Sequence, residues 1–346
     1  MLLRGIHAAF GLLCLVAFLH ACSAGPTGGS GASLTRLQGA GASFPAPLYM
    51  KWFRDFSDLR DGVQVDYQSV GSGSGVKSLI DRTVDFAASD AAMTDEELAQ
   101  VPDGVVLLPM TAGKIVLAYN VEGVAGLRLS RAAYSGIFLG AITRWNDPAI
   151  VATNPGVALP DAPINVVVRA DSSGTSYVFT QHLSAISSEF AAGPGTSKSP
   201  NWPVGTRAKG NEGVTASLMT TPGSIGYVEY GYASGQKLPM ALLENRSGAY
   251  VAPTPASGQA ALTSAALPDN LVGWIPDPEG ADSYPIVSYT WLIGYRTYGD
   301  ASKAAIFREL VNFCLEAGQA DSEALGYLPL PAEIIARVRA AAAEIH

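Results

Sequence analysis

The sequence predicts an α/β protein with mostly parallel sheets, on three observations. Apolar, β-branched segments alternate with segments of helical periodicity along most of the chain. Several predicted strands end in short turns rich in Gly and Ser that lead directly into a helix. The length of 346 residues allows two domains of ordinary size. Since sheets of this kind bind ligands at the carboxyl ends of their strands, those turns are the first candidates for a site.

The composition disfavours a nucleic-acid partner. Charged residues make up only 15% of the chain, the net charge is −8, and no run of Lys or Arg occurs. An acidic protein that binds an anion must do so with local, directed donors rather than with its overall field.

The N-terminus is predicted to be a signal peptide of lipoprotein type, residues 1–21. A short apolar run, Ala8–Leu19, precedes Leu19-His20-Ala21-Cys22, which resembles a lipobox. Cys22 would then be acylated as the first mature residue, and simple cleavage after Ala21 or Ala24 is the alternative. The apolar run is too short to favour a membrane-spanning helix.

Residues 22–33 are rich in Gly, Ser and Pro and are predicted to form a flexible tether. Removal of the signal takes away Cys14, and acylation would use Cys22, so only Cys314 would remain. An intramolecular disulfide is therefore not expected, and Cys314 is predicted to lie in the core.

The first folded stretch is Leu37–Tyr49, where Gly-rich residues lead into a helix with Pro47 in its first turn. Ser43 and the N–H of Phe44 lie near this helix start, and a plain helix cap is the alternative role for Ser43. Four aromatic residues recur at helical spacing and are predicted core: Tyr49, Trp52, Phe53 and Phe56.

Two further strands end in candidate anion sites. The strand Val63–Val70 runs into the Gly-rich turn Gly71–Ser78, a nest for a small oxyanion with Ser72 as the side-chain donor, and a helix is predicted at Leu79–Arg82. The strand Val84–Ala88 ends in Ser89-Asp90, and Asp90 as a turn cap is the alternative. Beside an anion, a carboxylate accepts a hydrogen bond only from a protonated ligand.

The fourth candidate is Val166–Tyr177, a buried strand followed by a turn and the predicted helix Tyr177–Ile186. Arg169 offers a planar fork suited to a tetrahedral oxyanion, and the hydroxyls of Ser173 and Thr175 add donors at a helix N-terminus. The alternative is an ordinary strand–turn–helix with a surface arginine.

The remaining segments suggest connections between two lobes. The strands Val105–Pro109 and Ile115–Tyr119, around Met110–Lys114, are predicted to form one crossing, and Tyr284–Leu292 the return crossing. Residues 189–203 are predicted to be loop-rich. Helices are predicted at Ser130–Gly140, Gly213–Thr221, Ser302–Ala317 and Ala332–Ala343, with a surface segment leading into a helix at Ala252–Leu267 and a strand at Ile225–Val228.

Taken in order, these turn sequences resemble the periplasmic phosphate-binding proteins of the phosphate-specific ABC transporter. The resemblance rests on Gly39–Pro47, Tyr67–Gly75, Val84–Asp90 and Arg169–Ser176. It implies a two-lobed, hinged periplasmic-binding-protein fold with two crossings. Lobe I would comprise residues 34–112 and 289–346, and lobe II residues 113–288.

The resemblance also implies a set of phosphate contacts, with Asp171 as the acidic partner of the arginine. The implied contacts are Ser43, Phe44 (backbone), Ser72, Asp90, Arg169, Ser173, Gly174 (backbone) and Thr175. The family pattern differs at Gly73-Ser74, which leaves a contact at those positions open.

The implied function is high-affinity binding of inorganic phosphate and delivery to the membrane permease of an ABC importer. The protein would be a monomer in the periplasm or at the cell surface, anchored through Cys22, with no enzymatic activity, cofactor or metal. Asp90 would accept a hydrogen bond from phosphate, which keeps a proton at neutral pH, and would repel sulfate, which has none.

Three alternatives remain at this point: a receptor for another oxyanion such as sulfate or molybdate, a secreted phosphoesterase, or an adhesion or sensing role. Asp90 disfavours the first. The sequence offers little for the second, since only His182 and His346 follow the signal peptide and no G-x-S-x-G motif occurs.

Overall fold

The computed structural model describes residues 34–264 and 266–346; the signal peptide, the tether and Cys22 lie outside them. The strands are β1 (Thr35–Gly41), β2 (Val63–Ser69), β3 (Phe86–Ser89), β4 (Val105–Asn120), β5 (Arg128–Leu129), β6 (Asn165–Arg169), β7 (Thr206–Ala208), β8 (Ser224–Glu229), β9 (Leu242–Glu244), β10 (Tyr250–Val251) and β11 (Val287–Tyr295). The helices are α1 (Ala46–Leu59), α2 (Ser72–Ile80), α3 (Asp95–Leu98), α4 (Arg131–Leu139), α5 (Pro148–Val151), α6 (Gly174–Ile186), α7 (Ser188–Ala192), α8 (Gly210–Thr220), α9 (Tyr230–Gly235), α10 (Pro255–Thr263), α11 (Ala301–Leu315), α12 (Gln319–Ala324) and α13 (Ala332–Ala343).

One eight-stranded sheet runs through the described part of the protein in the order β2-β1-β3-β11-β4-β8-β6-β7. The outer strands pair in parallel at both ends of the sheet. The central strands β11 and β4 run antiparallel to each other and to their outer neighbours β3 and β8. The predicted parallel sheets are therefore found in the outer parts, and the centre is antiparallel. A small second sheet contains β10, β9 and β5.

Strand β4 joins the two halves of the sheet. It pairs with β11 from Val105 to Lys114 and with β8 from Ile115 to Asn120. The sequence predicted two strands around Met110–Lys114, whereas the structure has one continuous strand. The backbone stays extended there because Ala112 exchanges hydrogen bonds with Leu328 on one side while β11 pairs along the other. We call the half around β1, β2, β3 and β11 lobe I, and the half around β6, β7 and β8 lobe II.

Each lobe has an aromatic core against its part of the sheet. The four aromatic residues predicted on α1 are all buried, which confirms that prediction. In lobe II the rings of Phe179 and Tyr227 stack with centroids 4.5 Å apart, and Trp202 packs on the same cluster. Trp202 thus ties residues 189–203, predicted to be loop-rich, to the core. Cys314 is buried on α11, as predicted.

Most predicted helices are present with small shifts at their ends, and α13 matches its predicted range. The helix predicted at Leu79–Arg82 is wrong in extent, because α2 already begins at Ser72. Gly71, at φ +95°, forms its N-cap, and the glycines of the turn continue as helix. Within the described residues, no helix combines the length and apolar character needed to cross a bilayer.

Candidate anion-binding site

Buried polar residues meet at the carboxyl ends of five of the six outer strands that pair in parallel. Ser43 follows β1, Ser72 follows β2 and Asp90 follows β3. Arg169 ends β6, and Asn211 follows β7. The parallel strands of lobe I run opposite to those of lobe II, and the carboxyl ends of the two groups face each other at the middle of β4. These residues from two lobes are thereby brought to one place.

Four helices begin close to these strand ends: α1, α2, α6 and α8. They contain 14, 9, 13 and 11 residues. The first N–H groups of a helix have no intrahelical acceptor, and the N-terminus carries partial positive charge. The arrangement therefore presents backbone donors and a positive potential to one small volume, which suits an anion.

The hydroxyl of Ser72 is held by two backbone amides. Its Oγ accepts hydrogen bonds from the N–H of Gly174 at 3.0 Å and from the N–H of Asp90 at 3.3 Å. A hydroxyl has two acceptor sites and one proton. Both acceptor sites of Ser72 are filled, so its proton is left to donate.

Ser173 is the N-cap of α6, and its Oγ accepts a hydrogen bond from the N–H of Ser176. The turn is also held by the neighbouring loop, because the N–H of Ser173 donates to the carbonyl of Lys198. The helix begins at Gly174, three residues earlier than the sequence predicted, since this cap satisfies the first turn.

Arg169 and Asp171 form a bidentate ion pair. Nε of Arg169 donates to Oδ1 of Asp171 at 2.9 Å, and Nη2 donates to Oδ2 at 2.6 Å. Burial raises the pKa of Asp171, but the Arg169 guanidinium and the N–H of Gly210 outweigh it and hold the pKa below its ordinary value. The carboxylate therefore fixes the plane of the guanidinium.

The third guanidinium nitrogen of Arg169 is left over. Nη1 is buried and has no hydrogen-bond partner among the described residues. A buried charged donor without an acceptor is costly. The position therefore favours a ligand that brings an oxygen to Nη1. The alternative of a surface arginine is wrong, since Arg169 is only 3% exposed.

Asp90 is a buried carboxyl group close to the same donors. Its Oδ1 accepts a hydrogen bond from Thr290 at 2.8 Å, and its Oδ2 accepts a long one from Thr175 at 3.4 Å. Burial raises the pKa of Asp90 to about 7, although the hydrogen bond from Thr290 and the charge of Arg169 lower it. At neutral pH Asp90 can thus exchange roles between hydrogen-bond donor and acceptor.

The two lobes are in contact at the site. Besides Ser72 and Gly174, the N–H of Gly73 donates to the carbonyl of Ser172 at 3.0 Å. A Cβ at Gly73 would lie 2.1 Å from Oγ of Ser172, and one at Gly174 would lie 2.5 Å from Oγ of Ser72. These glycines allow the backbones of the lobes to approach this closely.

The structure brings all the side chains predicted for the site together. Six of them are almost fully buried: Ser43, Ser72, Asp90, Arg169, Ser173 and Thr175. The helix cap considered for Ser43 is wrong, since Pro45 is the N-cap of α1 and makes no side-chain cap bond. The carbonyl of Phe44 accepts a hydrogen bond from Tyr327, which holds the turn carrying its N–H.

The open question at Gly73-Ser74 has a partial answer. The N–H of Gly73 is engaged by Ser172, and Ser74 is exposed. Neither position offers a free side-chain donor inside the cluster.

Sequence reasoning missed two residues of the network, Asn211 and Thr290. Asn211 follows a strand and lies in the first turn of a helix, the same strand–turn–helix pattern that predicted the other site residues. However, β7 has only three residues and gives no recognisable strand pattern in the sequence. Thr290 lies inside β11, and its polar side chain within a mostly apolar strand was the feature that could have identified it.

The chain matches the family model described as "PBP superfamily domain" over residues 26–315. It is 39% identical over 312 residues to the phosphate-binding protein PstS of Pasteurella multocida, covering 88% of this chain and 89% of that protein. It is 36% identical over 311 residues to the phosphate-binding protein PstS of Xylella fastidiosa Temecula1, covering 88% and 84%.

Solved structures share the fold. A high-affinity periplasmic phosphate-binding protein, solved with phosphate bound, matches with a TM-score of 0.72 at 24% identity, over 88% of this chain and 93% of that one. A phosphate-binding protein from Stenotrophomonas maltophilia matches with a TM-score of 0.70 at 24% identity over the same shares. With identities this high to the curated relatives over most of both chains, the protein belongs to the PstS family of phosphate-binding proteins within the PBP superfamily.

Proposed function

We propose that the protein binds inorganic phosphate between its two lobes and delivers it to the membrane permease of an ABC importer. The observation that carries this proposal is the unpartnered Nη1 of the buried Arg169, beside hydroxyls whose acceptor sites are filled. A tetrahedral oxyanion supplies the acceptors that these groups lack. The relatives described above carry the name phosphate-binding protein, which identifies the oxyanion.

Neutral donors account for most of the proposed contacts. The phosphate would be held by the hydroxyls of Ser43, Ser72, Ser173 and Thr175, the N–H groups of Phe44 and Gly174, and the guanidinium of Arg169. In this closed state the N–H of Gly174 donates to Ser72 at 3.0 Å, so bound phosphate would share or replace that contact. Charge-assisted hydrogen bonds of this kind are stronger than neutral ones, so one guanidinium and several dipoles suffice for a dianion.

Asp90 is proposed to select for a protonated ligand. With Thr290 on Oδ1 and burial on all sides, the carboxylate has one oxygen facing Thr175. Phosphate donates its own proton to that oxygen. Sulfate has none and would leave two negative charges in contact, and a site built for a ligand donor rejects analogues without it by a factor on the order of 10⁴.

Hinged closure is supported by the way β4 changes partner between Lys114 and Ile115. We assign residues 34–112 and 289–346 to lobe I and residues 113–288 to lobe II, so that the crossings lie in β4 and at the start of β11. Contacts such as that of Ser72 with Gly174 then form only when the lobes meet.

We further propose that residues 1–21 direct secretion, that Cys22 is acylated, and that residues 22–33 tether a monomeric binding protein to a membrane. The sequence of this segment supports this proposal. The protein would work in the periplasm or at the cell surface as a carrier, without catalysis.

Calorimetry with phosphate-stripped protein tests the function. We expect a single site for phosphate and at least 10-fold weaker binding of sulfate at pH 8, where about one-tenth of Asp90 is protonated. Equal binding of both anions would refute the selection by Asp90, and absence of phosphate binding would refute the function. Release of phosphate from a phosphate ester by the same preparation would contradict a purely carrier role.

A further inference from the structure

We propose that Asn211 is a positioning residue that turns the hydroxyl protons of Ser43 and Thr175 toward the bound anion. The inference rests on the proposed function. It concerns a residue that would not touch the ligand and would act through two residues that do.

Asn211 is fully buried and contacts both hydroxyls. Its Nδ2 donates to Oγ of Ser43 at 2.9 Å and to Oγ1 of Thr175 at 3.2 Å. Its backbone N–H also donates to Oγ of Ser43, at 3.0 Å. The two protons of the amide nitrogen are thus both used on site hydroxyls.

The orientation of the Asn211 amide is fixed by its oxygen. Oδ1 accepts a hydrogen bond from the N–H of Glu229 at 2.9 Å. A backbone N–H can only donate, so the oxygen must face Glu229 and the nitrogen must face the hydroxyls. The amide therefore cannot flip without losing three hydrogen bonds.

As a consequence, the direction in which each of the two hydroxyls can donate its proton is fixed; we call this the polarity of the hydroxyl. Ser43 accepts two hydrogen bonds, which fill both acceptor sites of its hydroxyl. The hydroxyl can therefore only donate its proton to a further partner. Thr175 accepts from Nδ2, so its proton must point away from Asn211. In the structure Thr175 donates this proton to Oδ2 of Asp90 over a long 3.4 Å, and an anion bound beside Asp90 would receive it instead. Without Asn211 a hydroxyl can also turn its oxygen toward the anion, which is repulsive.

This polarity is set only when the lobes are closed. Asn211 opens α8 in lobe II, whereas Ser43 follows β1 in lobe I. In an open protein Ser43 is solvated and its proton is free to rotate. Closure therefore both encloses the anion and converts Ser43 into a donor, which couples the two events.

Ser72 and Ser173 provide an internal comparison. Ser72 accepts from two backbone amides and Ser173 from one, with no contribution from Asn211. Changing Asn211 should leave the protons of these two hydroxyls aligned on the anion.

The test is a two-dimensional correlation between ³¹P and hydroxyl ¹H across hydrogen bonds in the phosphate-saturated protein. We expect the wild type to show correlations that disappear in S43A and in T175V. Absence of these two correlations in the wild type, with phosphate bound, overturns the inference without requiring any variant of Asn211.

The variants N211L and N211D then separate the donor from the packing role. N211L keeps the branched shape of the side chain but removes both side-chain donors, and we expect 10- to 100-fold weaker phosphate binding. N211D places acceptors against the hydroxyls and should weaken binding by 10³-fold or more at pH 8. In N211L at saturating phosphate, the correlations of Ser43 and Thr175 should weaken while those of Ser72 and Ser173 persist.

S217A serves as the matched control, because Ser217 lies on the same helix and bonds only to the carbonyl of Gly213. It should bind phosphate within twofold of the wild type. If N211L also binds within twofold, or loses all four correlations equally, the positioning role is refuted. If the wild type binds no phosphate at all, the proposed function fails instead, which distinguishes the two outcomes.

Discussion

The Oγ of Ser72 in lobe I lies 3.0 Å from the amide nitrogen of Gly174 in lobe II. The backbone of lobe II approaches the Ser72 side chain this closely because Gly174 has no side chain of its own. A Cβ on Gly174 would lie 2.7 Å from Cβ of Asp90 as well as 2.5 Å from Oγ of Ser72. Closure of the lobes is therefore limited by sterics at a few positions.

We expect G73A to weaken phosphate binding by 10-fold or more while leaving the lobes stable. Gly73 lies in α2, where alanine is the better helix former, but its Cβ would lie 2.1 Å from Oγ of Ser172 across the cleft. Calorimetry and thermal unfolding of the phosphate-free protein measure the two effects. G235A is the control, because nothing lies within 4 Å of the added methyl. Unchanged affinity in G73A would contradict the closed state as the binding state.

Removal of Arg169 should abolish phosphate binding. R169A alone leaves Asp171 buried and unpaired, which is destabilising by about 3–5 kcal/mol. The double variant R169A/D171A avoids this cost, and we expect it to fold and to bind phosphate at least 10³-fold more weakly than the wild type. R207A, at an exposed position of the neighbouring strand β7, should bind normally. Retention of affinity in the double variant would mean that Nη1 serves no ligand.

D90N should relax the selection between anions. The amide can donate to sulfate at any pH, so we expect sulfate binding to gain about 10²-fold at pH 9, two units above the pKa of Asp90. In the wild type, sulfate binding requires a proton on Asp90, whose pKa is raised to about 7 by burial. Its sulfate affinity should fall about tenfold per pH unit above pH 7, while that of D90N stays flat. Parallel pH profiles of the two proteins, measured by calorimetry, would refute the proposed role of the carboxyl group.

The stability of the ligand-free protein should depend on pH through the same group. The pKa of Asp90 rises from 3.8 to about 7 on folding. The folded state therefore holds the extra proton between these values, so its contribution to stability is present in full below pH 4 and is lost as pH rises through 7. About three pKa units correspond to at most about 4 kcal/mol.

Urea unfolding of phosphate-free protein at pH 4.5 and 8.5 checks this linkage. D90N should be more stable than the wild type at pH 8.5, and the difference should shrink toward pH 4.5. D58N, at an exposed aspartate, should follow the wild type at both pH values. A constant difference between D90N and the wild type would show that Asp90 does not bind the extra proton.

Each of the turns that carry the site could be predicted because its chemistry is local. Ser72 and Asp90 follow a recognisable strand and Arg169 ends one, and the turns after β2 and β6 lead into the helices that begin at Ser72 and Gly174. The rule that ligands bind at the carboxyl ends of strands then marks each turn as a candidate within its own lobe. The strand order itself is non-local, which is why the antiparallel centre of β4 and β11 was not predicted.

The missed residues show the limits of local patterns. Asn211 follows a three-residue strand, and its role depends on Ser43, 168 positions earlier in the chain. Thr290 reaches Asp90 from inside β11, 200 positions later. Such contacts depend on how β11 and β7 lie in the sheet, and no periodicity within either segment reveals them. The aromatic face of α1, by contrast, is a local pattern, and all four residues are buried as predicted.

A further contact across the cleft joins Lys198 and Glu97, with Nζ 2.7 Å from Oε1. The side chains are 18% and 24% exposed, so the pair is partly shielded from solvent. The carbonyl of Lys198 also accepts the N–H of Ser173, which links this ion pair to the site by one residue. We therefore expect the pair to favour the closed state by about 1 kcal/mol at low salt.

K198M keeps the aliphatic stem and removes the charge. Phosphate dissociation, measured by stopped flow, should be about fivefold faster than in the wild type at 20 mM salt, because 1 kcal/mol of closed-state stability is lost. The two rates should converge at 1 M salt, where the charge interaction is screened. K77M is the matched control, since Lys77 forms an exposed ion pair with Asp81 inside lobe I. Equal dissociation rates of K198M and the wild type at low salt would show that this ion pair does not hold the lobes together.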